Sequence, residues 1–311
     1  MIKFLIKKIV ILLISLFMVA SLTFALMQMI PGDPFTQEKA VPEEILKAMY
    51  HHYGLDQPWY VQYGRYIKGL VTFDLGPSFK YQGRTVTEII REGFPVSMTL
   101  GLEALFISIF FGMGLGCIAS LYHLKWQDHF TMVLAVIGIS VPSFILATFL
   151  QYLIGMKFDF LPVARWGTFK HSILPALSLA ALPMAFIARL TRSNMVEIMQ
   201  QDYIQTARSK GLNGFQIVFR HALRNALLPI VTYLGPLTTA ILTGSFAVEK
   251  IFGIPGLGQW FVMSITNRDY TVIMGTTVFY SAILMTCIFL VDILYCFIDP
   301  RIQLINKKIR T

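Results

Sequence analysis

The chain alternates long apolar runs with shorter polar stretches, and the long runs are of membrane-crossing length. Lys3, Lys7 and Lys8 precede an uncharged run at 9–30 in which thirteen of 22 residues are Leu, Ile, Val or Phe. Each such residue favours insertion near mid-bilayer by roughly 0.3–0.6 kcal/mol, so the total predicts a membrane helix. The run exceeds the ~7–15 residues of a signal-peptide core and meets Pro31-Gly32 without a small-residue cleavage site, so it is expected to be retained. Five further apolar runs, at about 97–121, 131–155, 172–190, 227–248 and 272–297, follow. The expected fold class is an all-α membrane protein with six transmembrane helices.

The polar stretches then set the organisation. Residues 31–96 are the largest extramembrane segment, with seven Lys/Arg against eight Asp/Glu and turn signals at Pro31-Gly32 and Gly76-Pro77. They suffice for a small folded cap and not for a catalytic domain. The expected division is a first helix at 1–30, the segment 31–96, a five-helix core at 97–297 that includes a polar hairpin at 191–226, and a tail at 298–311.

Composition agrees with the pattern. Only 14% of the 311 residues are charged and 55% are hydrophobic, with a mean hydropathy of +0.63, whereas soluble domains carry about 25% charged residues. The net charge of +9 could suggest nucleic acid, but its excess flanks the apolar runs and reads as a topological signal. Fourteen Lys/Arg fall on one proposed side, and five fall in the short loops 156–171 and 249–271 on the other. The asymmetry predicts both termini inside and 31–96 outside, although Lys157, Arg165 and Lys170 run against it locally. Cys117, Cys287 and Cys296 lie in apolar runs without metal-ligand spacing or a disulfide framework. The four tryptophans lie in polar stretches or at span edges and suit interfacial anchoring, with Trp59 equally readable as the core of a small cap.

Within the spans, Gly112 and Gly116 form a small-xxx-small pattern, and Pro142, Pro175, Pro183, Pro229 and Pro236 interrupt later helices. These features fit a pathway of bending helices and a static bundle equally. Glu103 is the one acid deep in an expected span and should face protein or water.

The long polar interruption at 194–229 carries the functional signal. Met195, Ile198, Met199 and Tyr203 recur at helical spacing, and Gly211 follows Arg208 and Lys210 as a helix stop. Asn213 with Gln216 predicts a capping box. Phe215, Val218, Phe219, Ala222 and Ala226 then form an apolar stripe, with Gln216, Arg220 and Arg224 on another face. Such a hairpin either rests on lipid headgroups or docks a soluble partner.

The segment Asp202-Tyr-Ile-Gln-Thr-Ala-Arg-Ser-Lys-Gly-Leu212, followed by Arg220-His-Ala-Leu-Arg-Asn-Ala-Leu-Leu-Pro229, resembles the coupling motif of bacterial ABC importer permeases. The dipeptide/oligopeptide/nickel class matches best, with Thr206-Ala207-Arg208 in place of Glu-Ala-Ala. The resemblance runs through Pro31-Gly32-Asp33-Pro34, Leu75-Gly76-Pro77-Ser78-Phe79, Ile139-Ser140-Val141-Pro142, Ala188-Arg189-Leu190-Thr191-Arg192, Asn267-Arg268-Asp269-Tyr270 and Ile298-Asp299-Pro300-Arg301. It looks most like the oligopeptide B-type permease. It implies a type I importer permease fold in the bacterial inner membrane, forming half of a path for oligopeptides, or for dipeptide, nickel or glutathione in the same class. It also implies a second homologous permease, two cytoplasmic ATPase subunits and an extracytoplasmic peptide-binding protein as partners, with lipid around the spans and no nucleic acid. The residues it assigns to ATPase coupling are Asp202, Thr206, Ala207, Arg208, Gly211, Phe215, Arg220 and Arg224. No substrate-contact residue can be assigned.

The chain carries no Walker A pattern, HExxH or GxSxG, so no catalytic residue, metal site or cofactor is expected and ATP hydrolysis falls to another polypeptide. From physics alone, a proton-coupled secondary transporter is the runner-up, but no internal repeat supports it. A membrane-embedded hydrolase lacks any nucleophile constellation.

Overall fold

The computed structural model describes residues 2–30, 35, 43–242 and 245–298. Among these the chain is helical, and its only strand-like feature is one antiparallel bridge between Pro77 and Thr85. Two compact units form. One holds Met1–Val96 with Gly256–Thr286, and the other Ser97–Pro255 with Cys287–Thr311.

In the first unit, α1 (Ile2–Met29) is the expected first span. After it come α2 (Glu43–Tyr53) and α3 (Trp59–Thr72). The helix α4 (Val86–Leu121) begins in this unit and continues through the second expected span. At 36 residues it is about 54 Å long, well beyond the ~30 Å hydrocarbon core. The helix α12 (Leu257–Asn267) and the start of α13 (Tyr270–Ile298) complete the unit. Val86, Ile89, Ile90, Leu257 and Val272 form its buried cluster.

The α12–α13 corner is tied to the loop before α4 by the carboxylate of Asp269. Asp269 is fully buried and accepts hydrogen bonds from the Ser78 hydroxyl, from the Phe79 amide at 3.2 Å, from the Thr271 hydroxyl at 2.9 Å and from the Val272 amide at 3.3 Å. Asn267 Nδ2 donates to the Tyr81 hydroxyl at 3.1 Å, and the Tyr81 ring packs edge-on against Trp260. A buried charge persists only when hydrogen-bonded, and this one is held by neutral donors from both segments.

The second unit is organised on α7 (Phe169–Ile198). Its buried face is rich in small residues, including Ala176, Ala180, Ala185 and Ala188, which lets neighbouring helices approach closely. A Cβ at Gly112 would lie 2.8 Å from the Met184 carbonyl, and one at Gly116 would lie 2.6 Å from the Ala188 carbonyl. These two glycines of α4 therefore serve packing against α7. Glu103 on α4 is half-buried, with one carboxylate oxygen enclosed and without a hydrogen-bond partner among the described residues. Elsewhere in the unit Ser97 donates to the fully buried Glu249 at 2.8 Å.

Two expected spans differ in shape. The run at 131–155 is not straight. The helices α5 (Trp126–Ser140) and α6 (Ser143–Leu150), the latter extended by π-helical turns over Gln151–Lys157, meet at 106°. Pro142 has no amide hydrogen to donate and forces Val141 out of the helical region, to φ −90° and ψ 119°. The run at 227–248 also divides. The helix α10 (Leu223–Leu242) ends before the expected edge, and α11 (Phe246–Phe252) is a separate short helix. Among the described residues five helices are long and apolar enough to cross a membrane, six if the bent pair is one span.

Candidate coupling hairpin

Between α7 and α10 the chain folds into a small structure with its own core. The first expected helix is interrupted. The α7 helix ends at Ile198, Gln201 is extended at φ −73° and ψ 148°, and α8 (Asp202–Ser209) starts anew. The polar run Gln200-Gln201-Asp202 supplies no apolar residue to hold a straight continuation, and Asp202 in the first turn of α8 suits the positive end of its dipole.

Gly211 then ends α8 in the left-handed region at φ +80°. Its amide donates to the Arg208 carbonyl at 2.9 Å, and the Leu212 amide donates to the Ala207 carbonyl at 3.3 Å. This is the paired bonding of a Schellman stop, with Leu212 turned onto the apolar cluster. Two residues later the expected capping box forms. Asn213 Oδ1 accepts from the Gln216 amide at 2.9 Å, and Gln216 Oε1 accepts from the Asn213 amide at 3.1 Å. It opens α9 (Gly214–Gln216), which passes through π-helical turns over Ile217–Ala222 into α10.

The hairpin core consists of Met195, Ile204, Ala207, Ile217, Val218, Ala222 and Ala226, with Ile198, Met199 and Leu212 packed against it. It joins the end of α7, α8 and the start of α10 into one piece. Asn225 adds a hydrogen bond to the Tyr203 hydroxyl at 2.9 Å.

The predicted coupling residues separate by where this core leaves them. Asp202, Thr206, Arg208, Gly211, Phe215 and Arg220 are exposed, and Ala207 is buried in the core. Thr206 donates back to the Asp202 carbonyl at 3.0 Å. The side chain of Arg224 lies outside the described residues, as does that of Phe219. Phe215 does not join the stripe expected from 3.6-residue periodicity. It is 70% exposed, and Ile217 takes the inner position. The π turns widen the repeat and bring Ile217 and Ala222, five residues apart, to one face.

One cluster beside the hairpin escaped the sequence reading. Asp128, in the first turn of α5, accepts from Arg192 Nε at 2.9 Å and from Arg192 Nη2 at 2.7 Å in a fork-like pair. Its side chain is 1% exposed and also accepts the Leu124 amide at 3.0 Å, with His123 Nδ1 3.2 Å away. The clasp pins the α4–α5 loop to α7 just before the hairpin. An Asp at the start of a helix reads as an ordinary dipole partner, so sequence alone gave it no distinct signal.

The hairpin offers a surface bearing the exposed Arg208, Lys210 and Arg220 with the aromatic rings of Tyr203 and Phe215, on a packed core continuous with α7 and α10.

The chain is similar to known proteins along most of its length. The family model described as "Binding-protein-dependent transport system inner membrane component" matches residues 112–304, and its N-terminal companion, "Binding-prot-dependent transport system membrane comp, N-term", matches 1–101. The dipeptide transport system permease protein DppB of Bacillus subtilis is 49% identical over 99% of this chain and 100% of its own. DppB of Lactococcus lactis is 41% identical over 98% and 100%, and the oligopeptide transport system permease protein OppB of Salmonella typhimurium is 39% identical over 97% and 100%. A chain in the solved structure "Inward facing conformations of the MetNI methionine ABC transporter: CY5 native crystal form" matches with a TM-score of 0.57. It is 17% identical and covers 68% of this chain and 97% of its own, a likeness of fold.

Proposed function

The chain belongs to the family of binding-protein-dependent transport system inner membrane components, and from that premise we propose that it forms half of the membrane path of an ATP-driven importer of short peptides. It is a permease subunit of the inner membrane and not itself an enzyme, and family membership removes the secondary-transporter reading. The family implies ATPase, binding-protein and second-permease partners in general terms. We assign two ATPase subunits to the cytosolic face, a related permease alongside, and an extracytoplasmic peptide-binding protein at the outer mouth.

The observation that carries the mechanism is the hairpin core. Met195 and Ala226 bury against the same cluster as Ile204 and Ile217, so a push on the hairpin surface acts on α7 and α10 together. In this mechanism the hairpin lies in the cytosol, with both chain termini on that side and residues 31–96 outside. Phe215 seats in a pocket of the ATPase, and Arg220 or Arg224 supplies a polar anchor. ATP-driven closure of the ATPases binds one orientation of the hairpin better than the other and shifts the population of the attached helices. No bond is made or broken in this chain.

Dipeptides are the alternative to longer peptides. The 49% identity to a dipeptide permease against 39% to an oligopeptide permease favours them. The test is competition uptake in proteoliposomes holding the assembled complex, with unlabelled peptides of two to six residues against a labelled dipeptide. Competition by dipeptides alone supports the shorter class, and competition by longer peptides supports the oligopeptide one. ATP-independent uptake contradicts both.

A further inference from the structure

The helix α3 sits in the segment expected to be extramembrane, yet it runs antiparallel along the apolar length of α1. Gln62 accepts from Gln28 Nε2 at 3.0 Å, and the Tyr63 hydroxyl lies 2.7 Å from Ser21 Oγ. The Tyr63 and Tyr66 rings pack on Phe24 at 5.3 and 5.8 Å. Further along, Ile67, Leu70, Val71 and Phe73 share a groove with Leu13, Leu16, Phe17 and Ala20 of α1. As numbers rise on α3 they fall on α1, and the eleven residues from Gln62, level with Gln28 at the outer end of the apolar run, to Phe73 descend roughly 16 Å at 1.5 Å per residue. The hydrocarbon core is about 30 Å thick, so the far end of α3 lies deep in the bilayer if α1 spans it.

Polarity along α3 follows the same gradient. Trp59 and Tyr60 stand exposed at its start, where an aromatic belt belongs. Arg65 and Lys68 are its only charges, and the sequence after Lys68 is Gly-Leu-Val-Thr-Phe before the exposed Asp74, whose Oδ1 accepts the Gly76 amide at 3.3 Å where the chain turns back. Lys68 can extend its stem back toward the headgroups. Beyond it Val71 is 74% and Phe73 82% exposed, an arrangement costly in water and natural against lipid tails. The groove they flank measures about 310 Å³, and its wall is completed by Gly275, Val278, Phe279 and Ala282 of α13. Every one of these lining residues is apolar.

We propose that α3 dips into the outer half of the bilayer and that the groove between α1, α3 and α13 seats a phospholipid acyl chain. The cap is then a partly embedded wedge, with lipid as the partner of its deep end. Unpaired backbone groups at that depth need protein partners. The Asp74 amide finds one, donating to the Gly69 carbonyl at 3.0 Å.

Nitroxide labels at Val71→Cys, Phe73→Cys and Tyr60→Cys, in the assembled complex in phospholipid nanodiscs, test this by collision with oxygen and with a water-soluble nickel chelate. The expected result is high oxygen and low nickel accessibility at 71 and 73, reversed at 60. High nickel accessibility at 71 and 73 places them in water, and low accessibility to both reagents places them under another protein chain; either overturns the proposal. In the unmodified complex, a carbene-generating probe dissolved in the bilayer should label the stretch 69–73. Absence of adducts there, with α1 labelled, also overturns it.

Discussion

Two irregular segments interrupt the helices of this protein, and they use their distinctive residues in opposite directions. At the α12–α13 corner, Asp269 and Ser78 point inward and are fully or almost fully buried, each bonding the other's segment across a separation of 191 residues. In the hairpin, apolar residues close the core while Arg208, Phe215 and Arg220 point outward. Both segments carry motif residues of similar specificity. Burial assigns the first motif to building the protein, and it leaves the second on the surface that we propose a partner grips.

Substitutions can break this comparison. The largest effect is expected for Asp269→Ala, which strands the amides of Phe79 and Val272 without their acceptor. Loss of charge-assisted bonds in a buried site should cost about 3 kcal/mol or more, read as a lower unfolding temperature in detergent and less protein in the membrane. Phe215→Glu should do the reverse. Stability should stay within ~0.5 kcal/mol, as for other exposed sites. Peptide uptake and peptide-stimulated ATP hydrolysis should fall about thirtyfold, the ~2 kcal/mol of an interface anchor. A large drop in unfolding temperature would place Phe215 with the corner residues instead.

Smaller changes sharpen the hairpin side. Gly211→Ala puts a side chain on a left-handed residue with open space around its Cβ position, so the cost is the conformational ~1–2 kcal/mol alone. Uptake should decline in proportion while the corner is untouched. Asn213→Ala removes one half of the capping box, worth about 1 kcal/mol. It should speed hydrogen exchange over 214–222 without changing exchange at 267–272.

The parts of the fold readable from sequence were those set by neighbours. The apolar runs gave the spans, and Gly211 and the Asn213–Gln216 pair gave the stop and restart of the hairpin because caps act over three or four residues. What stayed hidden was long-range or off-period. Asp269 and Ser78 appear in separate motifs, and nothing local pairs them. The π turns at Ile217–Ala222 moved the inner position from Phe215 to Ile217, a shift invisible to a 3.6-residue template. Pro142 was read as a helix interruption, but a 106° turn depends on what α6 packs against, including α7 and α11. Ala207 was assigned to coupling by the motif, and the structure buries it in the hairpin core, where its carbonyl accepts the Leu212 amide at the turn.

The central claim is that the exposed face around Phe215 is gripped by an ATPase in the cytosol. It is tested most directly by a single cysteine at that position, Phe215→Cys, in a chain with Cys117, Cys287 and Cys296 replaced by serine. An impermeant maleimide should label it in inside-out membrane vesicles and not in right-side-out ones, and bound ATPase subunits should protect it. Labelling from the outer side, or equal labelling with and without the ATPases, would contradict the account.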